Sequence, residues 1–264
     1  METGTRSFGA AAAALGAIGL TWGAFALFWQ PIPPDLPGYG MLAYTAGTML
    51  LAGGLAVQSG RTAAVGGWML AAAFAGFSIP WAIRVVRFPQ LFGTWGGFAE
   101  EFALFVAAVI VAVGARRRVE PPAGFAERAC IVAFGVCAIA FGLNHFFALP
   151  QTAGMVPAWI PPGPMFWAVA TGVLHAAAGI AIVSGFRAIL AARLLAAMIL
   201  VFEALIWLPD LAGEPGTHMV WAGNGVNLAL AGATLVVADA VARRRGRTAA
   251  ALRGSSATIG HGAA

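Results

Sequence analysis

Two histidines sit where histidine is costly. His145 closes one apolar run and His175 lies in the middle of the next, within FGLNHFFALPQTAGMVPAWIPPGPMFWAVATGVLHAAAG from Phe141 to Gly179. Glu203 falls in a third apolar run, and Asn224 and Asn227 in a fourth. An ionisable side chain at the centre of a membrane helix costs about 2.5 to 3.5 kcal/mol, so each one needs a physical account. At a rise of about 1.5 Å per residue, Glu203 lies about 8 Å below the outer end of its helix and Asn227 about 9 Å below Trp221. His175 comes out about 6 Å deeper than Glu203. Such groups at a shared depth can bind an oxygen-bearing ligand and hold or pass a proton. His175, Glu203 and Asn227 are therefore expected to line one outward-facing polar pocket, with Asn224 on the same helix face as a further donor. The competing account has each of them satisfied separately by a backbone carbonyl.

A second polar group lies earlier in the chain. Arg84 and Arg87 fall about one turn inside the outer end of the third apolar run, and Glu100 and Glu101 about 6 to 9 Å inside the outer end of the fourth. The short turn between these runs makes antiparallel neighbours. Two positives then meet two negatives, with Arg84 and Glu101 fixing this part of the molecule. An anion- or substrate-holding site is the alternative. His145, beside Asn144, is expected at headgroup level. Its estimated depth differs from that of His175 by about 9 Å, which speaks against a bis-histidine haem. His218 and His261 are expected to be solvated. Cys130 and Cys137 lie about 10 Å apart along one helix, too far for a disulfide. No metal-ligand, nucleotide-binding or triad motif occurs in the context it requires.

The elements that must carry these groups are plain. Of 264 residues, 60% are hydrophobic and 9% charged, against about 25% charged in a soluble domain. Eight runs are long enough to span a bilayer at about 20 apolar residues each. They are Phe8–Trp29, Tyr39–Val57, Ala64–Arg87, Trp95–Ala115, Glu127–Leu149, Met165–Phe186, Ala188–Leu208 and Met219–Val241. All 15 basic residues are arginine. With eight spans, all of them except Arg84 and Arg87 fall on one side, so that side and both termini are expected in the cytoplasm of a bacterial cell. The net charge of +5 follows from this flanking, and nucleic acid is rejected as a partner. The tryptophans near span ends read as an interfacial belt, with room among them for a quinone headgroup.

The runs also repeat. A shift of 125 residues lays Gly47 and Gly54 on Gly172 and Gly179, and a shift of 126 lays Trp95 and Glu101 on Trp221 and Asn227. The expected architecture is an all-α membrane protein of eight transmembrane helices in two parallel four-helix repeats. The first unit covers residues 1–118 and the second 119–246, joined by a hinge at Arg116, Arg117, Arg118 and VEPPAG. Residues 247–264 are expected to form a disordered cytoplasmic tail.

The second unit resembles the DoxX-like integral membrane family. The resemblance rests on Glu127-Arg128, Phe141-Gly142-x2-His145-Phe146, VPAWIPPGP at 156–164, Trp167 with Thr171-Gly172, Leu208-Pro209, and Trp221 leading to Asn227-Leu-Ala-Leu-Ala-Gly. It covers roughly Glu127–Ala242, and the first unit is a weaker copy. The resemblance implies a four-helix membrane unit in support of membrane redox chemistry, with quinone as the candidate cofactor and a redox protein as the candidate partner. The chain departs from the family pattern in having no cysteine pair at the outer link and in carrying Asn227 where an acid is expected. The functional expectation is a membrane component that binds a quinone-like or small lipophilic molecule. The candidate binding residues are His175, Glu203, Asn227, Asn224, His145, Arg84 and Glu101. A small-solute or proton-coupled carrier and a non-catalytic assembly factor are the alternatives.

Overall fold

The computed structural model describes residues 2–27, 29–116 and 124–260, with side chains through residue 250. The expected hinge at 117–123 lies outside the described residues. Every regular element among them is helical. The long helices are α1 (Thr3–Trp22), α2 (Tyr39–Ala56), α3 (Ala63–Arg87), α4 (Phe92–Arg116), α5 (Gly124–Phe147), α7 (Pro164–Ser184), α8 (Ala188–Phe202) and α10 (His218–Gly260). A short α6 (Leu149–Met155) follows α5, and α8 continues through a π turn, Glu203–Trp207, into α9 (Leu208–Gly213).

Local chemistry sets several ends. α1 stops at Trp22, short of the expected Trp29, because Gly23 takes a left-handed conformation at φ 61° and caps it. Gly185 does the same for α7 at φ 77°. α10 runs on to Gly260 where a disordered tail is expected from residue 247. The run TAAALR from Thr248 to Arg253 is rich in strong helix formers and extends the helix.

Among the described residues, six stretches are long and apolar enough to cross a membrane: α3, α4, α5, α7, Ala188–Gly213 and the first 33 residues of α10. α1 and α2 are not among them. α1 opens with Thr3, Thr5, Arg6 and Ser7 and is otherwise mostly glycine and alanine. α2 has 18 residues with Tyr39, Tyr44, Thr45 and Thr48 among them.

The helices pack as a ring. α1 lies between α2 and α10, α3 between α2 and α4, α5 between α4 and α7, and α8 between α7 and α10. α4 and α10 also touch across the middle. Several seams in this ring bring backbone against backbone, those of α1 with α2 and of α5 with α7 among them. A Cβ on Gly54 of α2 would lie 2.5 Å from the carbonyl oxygen of Gly9 on α1, and one on Gly179 of α7 would lie 2.5 Å from that of Gly135 on α5. In lipid, where apolar surface gives no drive to associate, such close approach supplies the packing energy.

The arginine-rich end is tied by charge. The Glu127 carboxylate on α5, fully buried, pairs with Arg243 at 3.1 Å and Arg247 at 2.8 Å on α10. Arg243 also pairs with Glu2 at the start of α1. One α10 arginine thus links the start of α1 to α5. Asp239 accepts the Gly4 amide of α1 at 3.0 Å, which satisfies one of the free N–H groups at that helix start.

Replacing Gly179 by leucine should separate α5 from α7. Overpacking of this kind typically costs about 1 to 3 kcal/mol. Thermal unfolding in detergent should show a clearly lower Tm for Gly179→Leu than for Gly154→Leu, whose added Cβ meets nothing within 4 Å. Equal values would mean that the seam is not tight.

Candidate functional site

A cavity of ≈ 710 Å³ opens among α4, α5, α7, α8 and α10, with Trp81 of α3 and the α6 link completing its wall. Its depth follows from the residues that line it. Thr152, Met155 and Ile160 stand at the arginine-poor end, and Phe134, Leu195 and Thr234 lie well down the bundle. The wall is mostly aliphatic and aromatic, including Trp29, Trp81, Trp167 and Trp207. Such a surface takes an apolar body, while its few polar groups fix orientation.

The two histidines meet on this wall. His145 and His175 both line the cavity, and their ring centroids are 4.9 Å apart at an interplanar angle of 39°. The expected 9 Å offset in depth is therefore corrected. α5 ends at Phe147, two residues past His145, whereas α7 begins at Pro164, so His145 stands beside a residue about three turns down α7, and α6 packs against α7 in the space beyond. Gly172 makes the room: a Cβ there would sit 2.8 Å from the Cβ of His145. Each ring is anchored by its own helix. Nδ1 of His145 donates to the Phe141 carbonyl at 2.8 Å, and Nδ1 of His175 to that of Thr171 at 2.9 Å. Phe141 and Phe202 flank His175 at centroid distances of 6.0 Å and 6.2 Å.

Asn227 also faces the cavity. Its amide donates to Glu203 Oε2 at 2.9 Å and to the Ile199 carbonyl at 3.0 Å. Glu203 itself is buried and opens the π turn of α8. It stands behind Asn227 and is not part of the wall. Asn224 does not reach Glu203. Its amide donates to the Trp207 carbonyl at 2.9 Å and the Val220 carbonyl at 2.8 Å. A π turn shifts the backbone register and leaves carbonyls without their usual partners. The two asparagines of α10 supply donors to this part of α8, so the polar cluster there repairs backbone as well as facing a ligand.

The other expected grouping is corrected. Among the described residues no ion pair joins Arg84 or Arg87 to Glu100 or Glu101. Both arginines are exposed near the end of α3, where a long side chain can keep its charge at the interface. Glu101 is fully buried and accepts a hydrogen bond from Gln30 of the α1–α2 link at 2.5 Å. Glu100, about 100° away around the helix, faces the cavity and accepts from Trp29 Nε1 at 2.9 Å. The first half thus contributes Glu100 to the wall instead of Arg84 and Glu101. His218 stacks on Trp22 at 5.2 Å rather than standing free in solvent, and His261 lies outside the described residues. Among the described residues, no group of three or more His, Cys, Asp or Glu is placed to hold a metal ion.

Residues 131–207 match the DoxX family. Over that stretch, less than a third of the chain, the sequence is similar to that family. The match begins in α5 and ends with the π turn, so both histidines and Glu203 lie inside it and Asn227 lies beyond it. No curated protein and no solved structure matches the chain.

Asn227→Leu removes the donor to both Glu203 and Ile199. Leaving buried acceptors unsatisfied costs about 1 to 3 kcal/mol, so the variant should unfold at a lower temperature than wild type. Leu228→Ala, on the exposed face of the same helix, is the control. A variant as stable as wild type would show that these bonds do not hold α8 to α10.

Proposed function

We propose that this DoxX-like protein binds a small lipophilic, quinone-like molecule in the α4–α5–α7–α8–α10 cavity, in support of membrane redox chemistry with a partner protein. The observation that carries the reading is the cavity itself: ≈ 710 Å³ with a largely apolar, tryptophan-rich wall and a histidine pair on one side. Its volume falls within the range of about 300 to 1,000 Å³ typical of small-molecule sites. A sealed interior would have favoured an assembly factor with no ligand.

The reading includes eight spans in two tandem four-helix units, with both termini in the cytoplasm of a bacterial cell. Arginine asymmetry supports the orientation. Several pairs of contacts support the tandem copy, each about 125 or 126 residues apart. Gly9 and Gly16 of α1 cross Gly54 and Gly47 of α2, as Gly135 and Gly142 of α5 cross Gly179 and Gly172 of α7. A side chain on Gly97 would strike the Trp81 ring, and one on Gly223 the Trp207 ring. Trp95 Nε1 donates to the Pro89 carbonyl, and Trp221 Nε1 to that of Pro215. Exchanging the halves also maps the ring of helix contacts onto itself, with α1 against α10 and α5 against α4.

One observation favours a second reading. The π turn of α8 interrupts a membrane helix beside the cavity, and carriers place interrupted helices at their binding sites. The apolar wall favours the first reading, because a water-soluble solute would strand its polar groups against it.

Purification from native membrane followed by lipid mass spectrometry and an optical spectrum tests the proposal. A prenylated or otherwise apolar ring compound should co-purify with wild type. It should be lost from Ala138→Phe, which fills the cavity from the α5 wall, in protein that still elutes as a single species. Wild-type protein free of any such compound would contradict the proposal.

A further inference from the structure

The hydrogen atoms around the cavity are distributed unevenly. A neutral imidazole carries one N–H. A carbonyl oxygen only accepts, so the contacts of His145 with Phe141 and of His175 with Thr171 place the proton on Nδ1 in both rings. Each Nε2 is then a bare lone pair. Neither Nε2 has a protein partner among the described residues, and neither is sealed from the cavity.

Much of the remaining polar wall is short of free hydrogens too, with the indole N–H groups of Trp81 and Trp207 as the donors left without a partner among the described residues. Asn227 spends both amide hydrogens on Ile199 and Glu203, which leaves its oxygen free. The hydroxyls of Thr171 and Thr234 donate to carbonyls of their own helices. The Trp29 indole N–H is taken by Glu100. The buried Asn144 oxygen beside His145 has no partner among the described residues. A ligand carbonyl would meet lone pairs at the histidines, whereas a ligand hydroxyl would meet acceptors.

We propose that the His145–His175 pair is an acceptor site for the hydroxyl groups of an aromatic head group. The cavity then takes the reduced, dihydroxy form of its ligand in preference to the dicarbonyl form. The inference rests on the cavity reading above and adds its chemical sense. The aromatic flank of Phe141 and Phe202 fits a flat ring held edge-on to the two Nε2 atoms. A site built around hydrogen bonds to a hydroxyl rejects a relative that lacks it, because its own polar groups are left unpaired.

The test compares three probes of one shape, under argon, with the full chain in detergent: a decyl-substituted benzohydroquinone, its quinone and its dimethyl ether. Quenching of the cavity tryptophans reads binding. The hydroquinone should bind at least about tenfold more tightly than either other probe, as expected for two modest hydrogen bonds. His145→Phe and His175→Phe, which keep an aromatic ring but remove the acceptor, should each bring the hydroquinone towards the quinone's affinity. Quinone or ether binding as tightly as the hydroquinone overturns the acceptor pair and leaves the cavity reading standing. Binding of none of the three overturns both. If a phenylalanine variant fails to fold, the three-probe comparison on wild type decides alone.

Discussion

The structure turns on how closely the backbones of α5 and α7 approach. Gly135, Gly142, Gly172 and Gly179 let two antiparallel helices meet main chain to main chain, and this crossing sets where everything else on those helices points. His145 is one turn beyond Gly142, and His175 one turn beyond Gly172 in the opposite chain direction. Their rings therefore face each other across the seam. A side chain at Gly172 would occupy the space of the His145 Cβ. The histidine pair is thus a consequence of small residues, and its two unused nitrogens open on the cavity that the seam borders.

The buried acids each find a partner inside the protein, as an interior without water favours, although one oxygen each of Glu101 and Glu203 has none among the described residues. Glu101 meets Gln30, Glu203 meets Asn227, and Glu127 meets three arginines of α10. These arrangements differ between the halves in an informative way. Under the proposed repeat, Leu50 stands where His175 stands, and Phe77 where Glu203 stands. Phe74 and Phe77 pack edge to face in the first half, with Phe25 against Phe77. Under that repeat, the largely apolar cavity with its few polar groups corresponds to a region of packed aromatic side chains near the start of the chain. The first half still serves the site from outside, through Trp29, Trp81 and Glu100.

Much of this was legible in the sequence because hydropathy and glycine spacing report directly on helix length and helix contact. The helices lie close to the expected segments, and His175 and Asn227 come to one cavity. What was not legible is instructive. Depth counted along a straight helix does not place His145, since no residue count shows that α7 begins about three turns before the level at which it meets the end of α5. The faces of Glu100 and Glu101 could not be assigned without the rotation of α4 about its axis. Arg84 was paired by charge and proximity, yet Gln30 and Trp29 of a link supply the donors those carboxylates use. The π turn leaves no composition signature. Its trace is the two asparagines of α10, expected as donors to a carboxylate: Asn227 donates to Glu203 and to the Ile199 carbonyl, and Asn224 to the Trp207 carbonyl instead.

Nitrogen-15 NMR of histidine-labelled protein, with His218 and His261 replaced by glutamine, tests the central arrangement most directly. Four histidines then become two, both on the seam. The structure predicts the proton on Nδ1 and a bare Nε2 for each, together with a through-space contact between the two rings at their centroid separation of 4.9 Å. A proton on Nε2 of either ring, or no contact between them, would contradict the account.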